Sequence, residues 1–244
     1  MWSSRLALLL APLLLPATCL AEEHGGGLEA PLFFHVPGVA SQVVYAWVVM
    51  AILIVTGYLA GRKAAVVPRG LAHFYEVILQ GVWSFTEGML GEETKRFFPL
   101  VATLALFILT GNLIGLIPGF ESPTANLNTT LAMAVVAVVY SEYVGIRTHG
   151  AAYIKHFTGP LPWLAPLMLP IEIISHLARM LSLSLRLFGN IRGEDILLAV
   201  LLILVPYLVP VPIMLLAVFT SFLQAFIFVV LTLIYIQGAL EEAH

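Results

Sequence analysis

The chain has 244 residues, 60% of them hydrophobic and only 10% charged, against roughly 25% charged in an average soluble domain. Eleven Lys and Arg against fourteen Asp and Glu give a formal net charge of −3, so there is no basic field for nucleic acid. The single cysteine, Cys19, excludes a disulfide framework and a cysteine-held metal. What remains is a polytopic membrane protein, in which every charge needs a reason.

The first 21 residues join Arg5 to an apolar run from Leu6 to Leu15 and a small-residue site at Cys19–Ala21. This pattern predicts a cleaved signal peptide, the alternative being a short first membrane segment. A single membrane domain follows over 22–244, with Glu22 on the outer side. Val43–Ala60 is close to the ~20 apolar residues that a spanning helix needs. Over 71–90, His73, Glu76, Gln80, Ser84 and Glu87 recur at steps of three and four, with Leu71, Phe74, Val77, Ile78, Val82, Phe85 and Met89 opposite. That is an amphipathic helix, expected on the cytoplasmic face or packed on a partner.

Further spans are expected over 97–117 and 129–146. The nearly continuous apolar sequence from Pro160 to Gln237 divides into a helix over 166–192, an interruption at Gly193–Glu194–Asp195, a short piece over 196–209 and a last helix over 212–238. The expected architecture is all-α: about five transmembrane helices, one amphipathic helix, and a long hairpin formed by the last two helices. Gly57-x-x-x-Gly61 and Gly111-x-x-x-Gly115 both fit the small-residue pattern that lets membrane helices approach closely.

Cations set the orientation. Arg62, Lys63, Arg69, Lys95 and Arg96 lie between the first two spans, Arg147 and Lys155 after the third, and 118–128 has neither Lys nor Arg. The positive-inside rule puts 61–96 and 147–159 in the cytoplasm, with the N-terminus outside and the C-terminus cytoplasmic.

Glu172, His176, Arg179, Leu183, Arg186 and Asn190 are spaced 4, 3, 4, 3 and 4, one stripe of a helix, with Ser175 and Ser182 beside it. One Arg at mid-membrane costs about 2.5–3.5 kcal/mol on insertion scales. The stripe must therefore face protein or a water-filled cleft. An internal set pairing Glu172 with His176 or Arg179 would account for those residues equally well. It does not account for Arg186, whose nearest following carboxylates, Glu194 and Asp195, are two turns away. An anion on another chain is expected. On the last helix Gln224 sits among Phe, Leu and Val, suited to a helix–helix hydrogen bond or to positioning Arg186. Asn112 and Glu142 are read as packing groups within their spans.

Leu183-Ser-Leu-Arg-Leu-Phe-Gly-Asn190 and Leu223-Gln-Ala-Phe-Ile-Phe-Val-Val-Leu-Thr232 together resemble the a subunit of the F-type ATP synthase membrane sector. Pro123–Thr130 and Tyr235–Glu242 fit the same family, and the resemblance runs from about residue 40 to the C-terminus. It implies a multi-pass subunit of the bacterial plasma membrane that has two offset aqueous half-channels and couples proton flow to rotation. The implied partners are the oligomeric c-subunit ring, the b-subunit peripheral stalk, the rest of the ATP synthase and the lipid bilayer, with no nucleic acid, cofactor or metal. Arg186 matches the family's essential arginine, which faces the ring carboxylates, and Gln224 the glutamine near it. Asn190 matches a residue of the outer half-channel, Glu172 one associated with the inner half-channel, and Arg179 a basic residue of the same helix. His176 and Ser182 belong to the same candidate pathway, and Asn112 to its support.

Two positions depart from the family. Ala217 stands where some members carry histidine, and either Glu194 or Asp195 aligns with the outer acidic residue, depending on a one-residue shift. A fixed guanidinium in a low dielectric favours an ionised carboxylate, and Arg stays charged where Lys would not. Without a Gly-x-x-x-x-Gly-Lys-Ser or -Thr stretch, ATP chemistry is expected in other subunits. Two rivals remain. A stand-alone channel or transporter predicts internal repeats, which the chain lacks. A structural subunit of a respiratory complex leaves the charged stripe unexplained.

Overall fold

The computed structural model describes residues 40–62, 70–117, 119–150, 165–205 and 210–241. The signal-like segment 1–21 and the cations Lys63, Arg69 and Lys155 lie outside the described residues. Six α-helices follow in chain order among the described residues: α1 (Ser41–Arg62), α2 (Leu71–Leu90), α3 (Thr94–Gly115), α4 (Leu127–His149), α5 (Ala165–Leu204) and α6 (Pro210–Glu241). Among the described residues, four helical stretches are long and apolar enough to cross a membrane: Ser41–Arg62, Leu71–Gly115, Leu127–His149 and Pro210–Leu240. α5 is not among them, because its charged residues interrupt the apolar run.

Local chemistry sets the helix ends. Gly91, at φ 55°, closes α2, its N–H returning to the Glu87 carbonyl, a left-handed conformation that glycine adopts without strain. A one-turn 3-10 segment, Gly91–Glu93, then leads into α3. Asn126 caps α4 by accepting from the Asn128 N–H at 2.8 Å.

Three helical boundaries differ from expectation, and each has a physical reason. The interruption at Gly193–Glu194–Asp195 is absent, and α5 runs unbroken for 40 residues. One glycine inside a helix costs about 1 kcal/mol, which continuous flanking helix and the burial of Ile191 readily offset. The separate piece over 196–209 is thus, as far as Leu204, the end of α5. α6 starts at Pro210 rather than 212, because proline is tolerated in the first helical turn, where its missing N–H has no partner to lose.

The main core lies where α3, α4, α5 and α6 meet. Leu104 and Ile108 of α3, Met133, Ala134 and Ala137 of α4, Leu183, Leu187 and Ile191 of α5, and Ala225 and Phe228 of α6 pack together. Alanines at the contacts let the helices approach, as suits association by packing in lipid. α2 adds a second cluster: Val82, Phe85, Met89 and Leu90 lie against Val101, Ala105, Val229 and Leu233. Its polar residues His73, Glu76, Gln80, Ser84 and Glu87 are all exposed, as the amphipathic pattern requires.

The two small-residue pairs behave differently. A Cβ at Gly115 would lie 2.6 Å from the Ser122 Cβ, and one at Gly111 3.3 Å from Pro123. The turn after α3 packs directly on that glycine face. Buried hydroxyls pin it: Ser122 Oγ donates to the Gly111 carbonyl at 2.9 Å, and Thr124 Oγ1 to Asn112 Oδ1 at 2.5 Å. A Cβ at Gly57 or Gly61 would meet nothing within 4 Å.

Candidate functional site

Around Arg186, α5 presents two kinds of surface. Leu183, Ser184, Leu187 and Ile191 are buried, and the Ser184 hydroxyl meets that of Thr130 on α4 at 3.0 Å. Arg186 lies three residues after Leu183, about 60° around the helix, and is exposed, as are Ser182, Gly189 and Asn190. The expected stripe therefore straddles an edge. Leu183 turns into the core, while Arg186 and Asn190 turn out of it.

At one end of the stripe, His176 sits between two carboxylates. Its Nδ1 is 2.9 Å from Glu142 Oε1 on α4, and its Nε2 is 3.2 Å from Glu172 Oε1, one turn earlier on α5. Glu142, expected as a packing group, is instead the cross-helix partner of His176. A neutral imidazole donates to one carboxylate at a time and an imidazolium to both. The imidazole thus has a carboxylate acceptor at each ring nitrogen, one from each of two helices. Arg179 lies on the same stretch, its guanidinium 5.7 Å over the Tyr235 ring of α6. Replacing Glu142 by Gln removes one acceptor and one charge. In the proton-translocating role that the sequence resemblance implies, ATP-driven pumping in vesicles is expected to fall roughly tenfold with normal amounts of chain in the membrane. Unchanged pumping would remove Glu142 from the site.

The other end carries a second polar cluster. Thr220 of α6, whose hydroxyl donates to the Ala217 carbonyl at 3.1 Å, neighbours the Glu194 carboxylate. Asp195 lies in the electrostatic field of Arg192, Glu194 and Glu121. Glu121, in the turn before α4, accepts from Ser41 Oγ at 2.6 Å and Gln42 Nε2 at 3.5 Å at the start of α1. The N-terminus of a helix suits such an anion. Thr220 and Glu121 were invisible in the sequence pattern, since each comes from a different element. Both carboxylates that compete in the alignment, Glu194 and Asp195, point into this cluster's neighbourhood.

Arg186 stands between the two clusters, about 15 Å along the axis from His176 and about 12 Å from Glu194 at 1.5 Å per residue. Among the described residues no carboxylate lies within ion-pair distance of it. Gln224 is buried at 4% exposure beside Ala225, and no hydrogen bond joins it to Arg186 among the described residues. Ala217 is buried, its carbonyl accepting from Ser221 Oγ at 2.7 Å. Asn112 belongs to the pinned turn described above and reaches neither cluster directly.

Comparison with known proteins identifies the family. The family model described as "ATP synthase A chain" matches residues 43–237. ATP synthase subunit a of Citrifermentans bemidjiense is 54% identical over 214 residues, covering 88% of this chain and 93% of that protein. The Geobacter sulfurreducens subunit a is 52% identical over 217 residues, covering 89% and 94%, and that of Solidesulfovibrio magneticus 53% over 211 residues, covering 86% and 89%. With a match spanning most of the sequence and identities above half, the chain belongs to the ATP synthase A chain family.

Proposed function

We propose that the chain is the proton-translocating stator subunit of a rotary ATP synthase in a bacterial plasma membrane. The observation that carries the reading is Arg186: an exposed cation without an acidic partner among the described residues, on a helix packed against the spanning helices α3, α4 and α6, between two separate polar clusters. The partner it lacks is supplied by the carboxylates of a c-subunit ring moving past α5 and α6.

In this reading Glu194, Asp195 and Asn190 serve a half-channel from outside, and Glu172 and His176, with Glu142, one to the cytoplasm. Ser182, Gly189 and Gly193 line the face around Arg186; their small side chains leave room for a ring helix. The guanidinium favours the ionised form of each arriving carboxylate and drives its proton toward the release side. Its permanent charge also keeps a proton wire from joining the two clusters directly. Gln224, buried across the hairpin, supports the arginine's face, and Arg179 holds α5 to α6 through Tyr235. No covalent step occurs in this chain. A b-subunit stalk holds it against rotation, with the N-terminus outside and the C-terminus in the cytoplasm.

The test is isolation from native membranes. The chain is expected to co-purify with an oligomeric ring of small hairpin subunits, and a cysteine at Ser182 or Gly189 to crosslink to a cysteine on the ring's outer helix. A chain that purifies alone and conducts ions by itself would overturn the reading.

A further inference from the structure

The turn that carries Glu121 is held from two sides. The start of α1 grips one side. Besides the bonds from Ser41 and Gln42 to the Glu121 carboxylate, the buried Tyr45 donates its hydroxyl to the Gly119 carbonyl at 3.1 Å and meets the Phe120 ring edge-on. α5 holds the other side. Ala125, in the 3-10 segment Pro123–Ala125, is buried in one cluster with Leu187 and Ile191. Asp195 follows Ile191 by one turn on the same face of α5. Through this turn α1 reaches the outer cluster.

Charge makes this contact more than a brace. Among the described residues, the charged groups that act on Asp195 are Arg192 and Glu194 of α5 itself and Glu121 of the turn. Arg192 is the counter-charge; Glu194 and Glu121 are like charges. The groups that α1 and α6 bring there, Ser41, Gln42 and Thr220, are neutral. A like charge nearby disfavours the ionised form of a carboxylate and so helps it to take up a proton.

The fold of the turn does not need that charge. Tyr45 from α1 and the Ser122 and Thr124 bonds to α3 already fix it. A neutral glutamine at position 121 would accept from the same two donors through its amide oxygen, without repelling Asp195 or Glu194. Glu121 is half-buried, so its charge is also only partly solvated. A carboxylate kept beside two others, where a neutral group would hold the turn as well, points to a role in their titration.

We propose that Glu121 is a positioning residue for Asp195: its carboxylate, fixed by Ser41 and Gln42, sets a negative charge beside Asp195 and so favours proton uptake at the outer cluster. The inference rests on the transport role given above, and it adds α1 to the elements that serve the outer half-channel.

The complex carrying the full chain is reconstituted into liposomes with the outer cluster facing the lumen. ATP synthesis is followed as lumenal pH changes, while a potassium diffusion potential keeps the total driving force constant. Glu121→Gln is expected to lower the lumenal pH of half-maximal rate by about 0.5, so that roughly three times the proton concentration is needed. The maximal rate and the dependence on medium pH are expected to stay as they are. Glu121→Asp, which keeps the charge, is expected to restore most of the unaltered midpoint. The pair Ser41→Ala and Gln42→Ala frees the carboxylate and is expected to move the midpoint the same way by a smaller amount. That pair carries the test if Glu121→Gln does not accumulate in the membrane, and an unmoved midpoint there overturns the inference. An unmoved lumenal midpoint in Glu121→Gln overturns it too, as does a rate lowered evenly at every pH, the mark of a brace alone. An equal shift on both sides of the membrane does the same. If the unaltered complex makes no ATP under this driving force, the transport role itself fails, and this inference with it; a complex that makes ATP with a midpoint indifferent to Glu121 fails only the assignment made here.

Discussion

Replacing Arg186 by alanine is expected to abolish ATP-driven proton pumping in membrane vesicles while the chain still accumulates in the membrane. The two halves of this result have separate causes. Accumulation survives because the side chain points away from the core formed by Leu183, Leu187 and Ile191 and makes no ion pair among the described residues. In the proposed role, pumping fails because the attraction between Arg186 and an ionised ring carboxylate is lost. At 4 Å and an effective dielectric near 20 that attraction is about 4 kcal/mol, a factor of roughly 10³. Arg186→Lys is expected to recover only a small part of the activity, since an ammonium gives up its proton far more readily than a guanidinium once desolvated. Quenching of a pH-sensitive dye in inverted vesicles measures both variants. Coupled pumping retained in Arg186→Ala would remove the arginine from the mechanism.

Gly115→Leu is expected to have an effect as large for a different reason. The new Cβ would stand 2.6 Å from the Ser122 Cβ and 3.1 Å from the Ser122 backbone, so backbone must move. The turn cannot retreat freely, because Ser122 and Thr124 are hydrogen-bonded to Gly111 and Asn112 and buried. Overpacking costs about 1–3 kcal/mol, and each buried hydrogen bond broken about 1 kcal/mol more. Together these are enough to deplete the folded chain. At least a roughly tenfold drop in its level in membranes is expected, read by immunoblot. Gly61→Leu, at the equivalent place in the other glycine pair, where a Cβ meets nothing within 4 Å, is expected to accumulate normally. Equal levels of the two variants would contradict the packing described for the turn after α3.

The contrast shows where sequence reading stops. The two glycine pairs have the same spacing, and nothing in one dimension says that one is filled by the following turn and the other is open. Helices α1, α3 and α4 were legible to within three residues at each end because long apolar runs bounded by charges leave few choices. The amphipathic helix α2 was legible because its polar residues keep helical spacing. The unbroken course of α5 was not, since a Gly-Glu-Asp triplet signals a break unless tertiary burial on either side overrides it. The stripe was legible as a stripe, but not the division within it, because Leu183 and Arg186 differ by only about 60° around the helix. Glu142 was seen but misread. Its tie to His176 crosses 34 positions of chain and two helices, and only the packing of α4 on α5 makes the pair. Glu121 beside Asp195 was missed for the same reason.

The length of α5 has a consequence for transport. Forty residues make a helix about 60 Å long, and the hydrocarbon layer is about 30 Å thick. Kept within that layer, such a helix lies about 60° from the membrane normal. His176 and Glu194 are 18 residues apart on it, about 27 Å along the axis, of which more than 20 Å would then be sideways displacement in the plane of the membrane. In the proposed role, a proton that enters at one cluster and leaves at the other is displaced by that distance laterally, and a ring carboxylate travelling around an axis supplies the displacement, so that the slant of one helix sets how far the ring turns between loading and unloading.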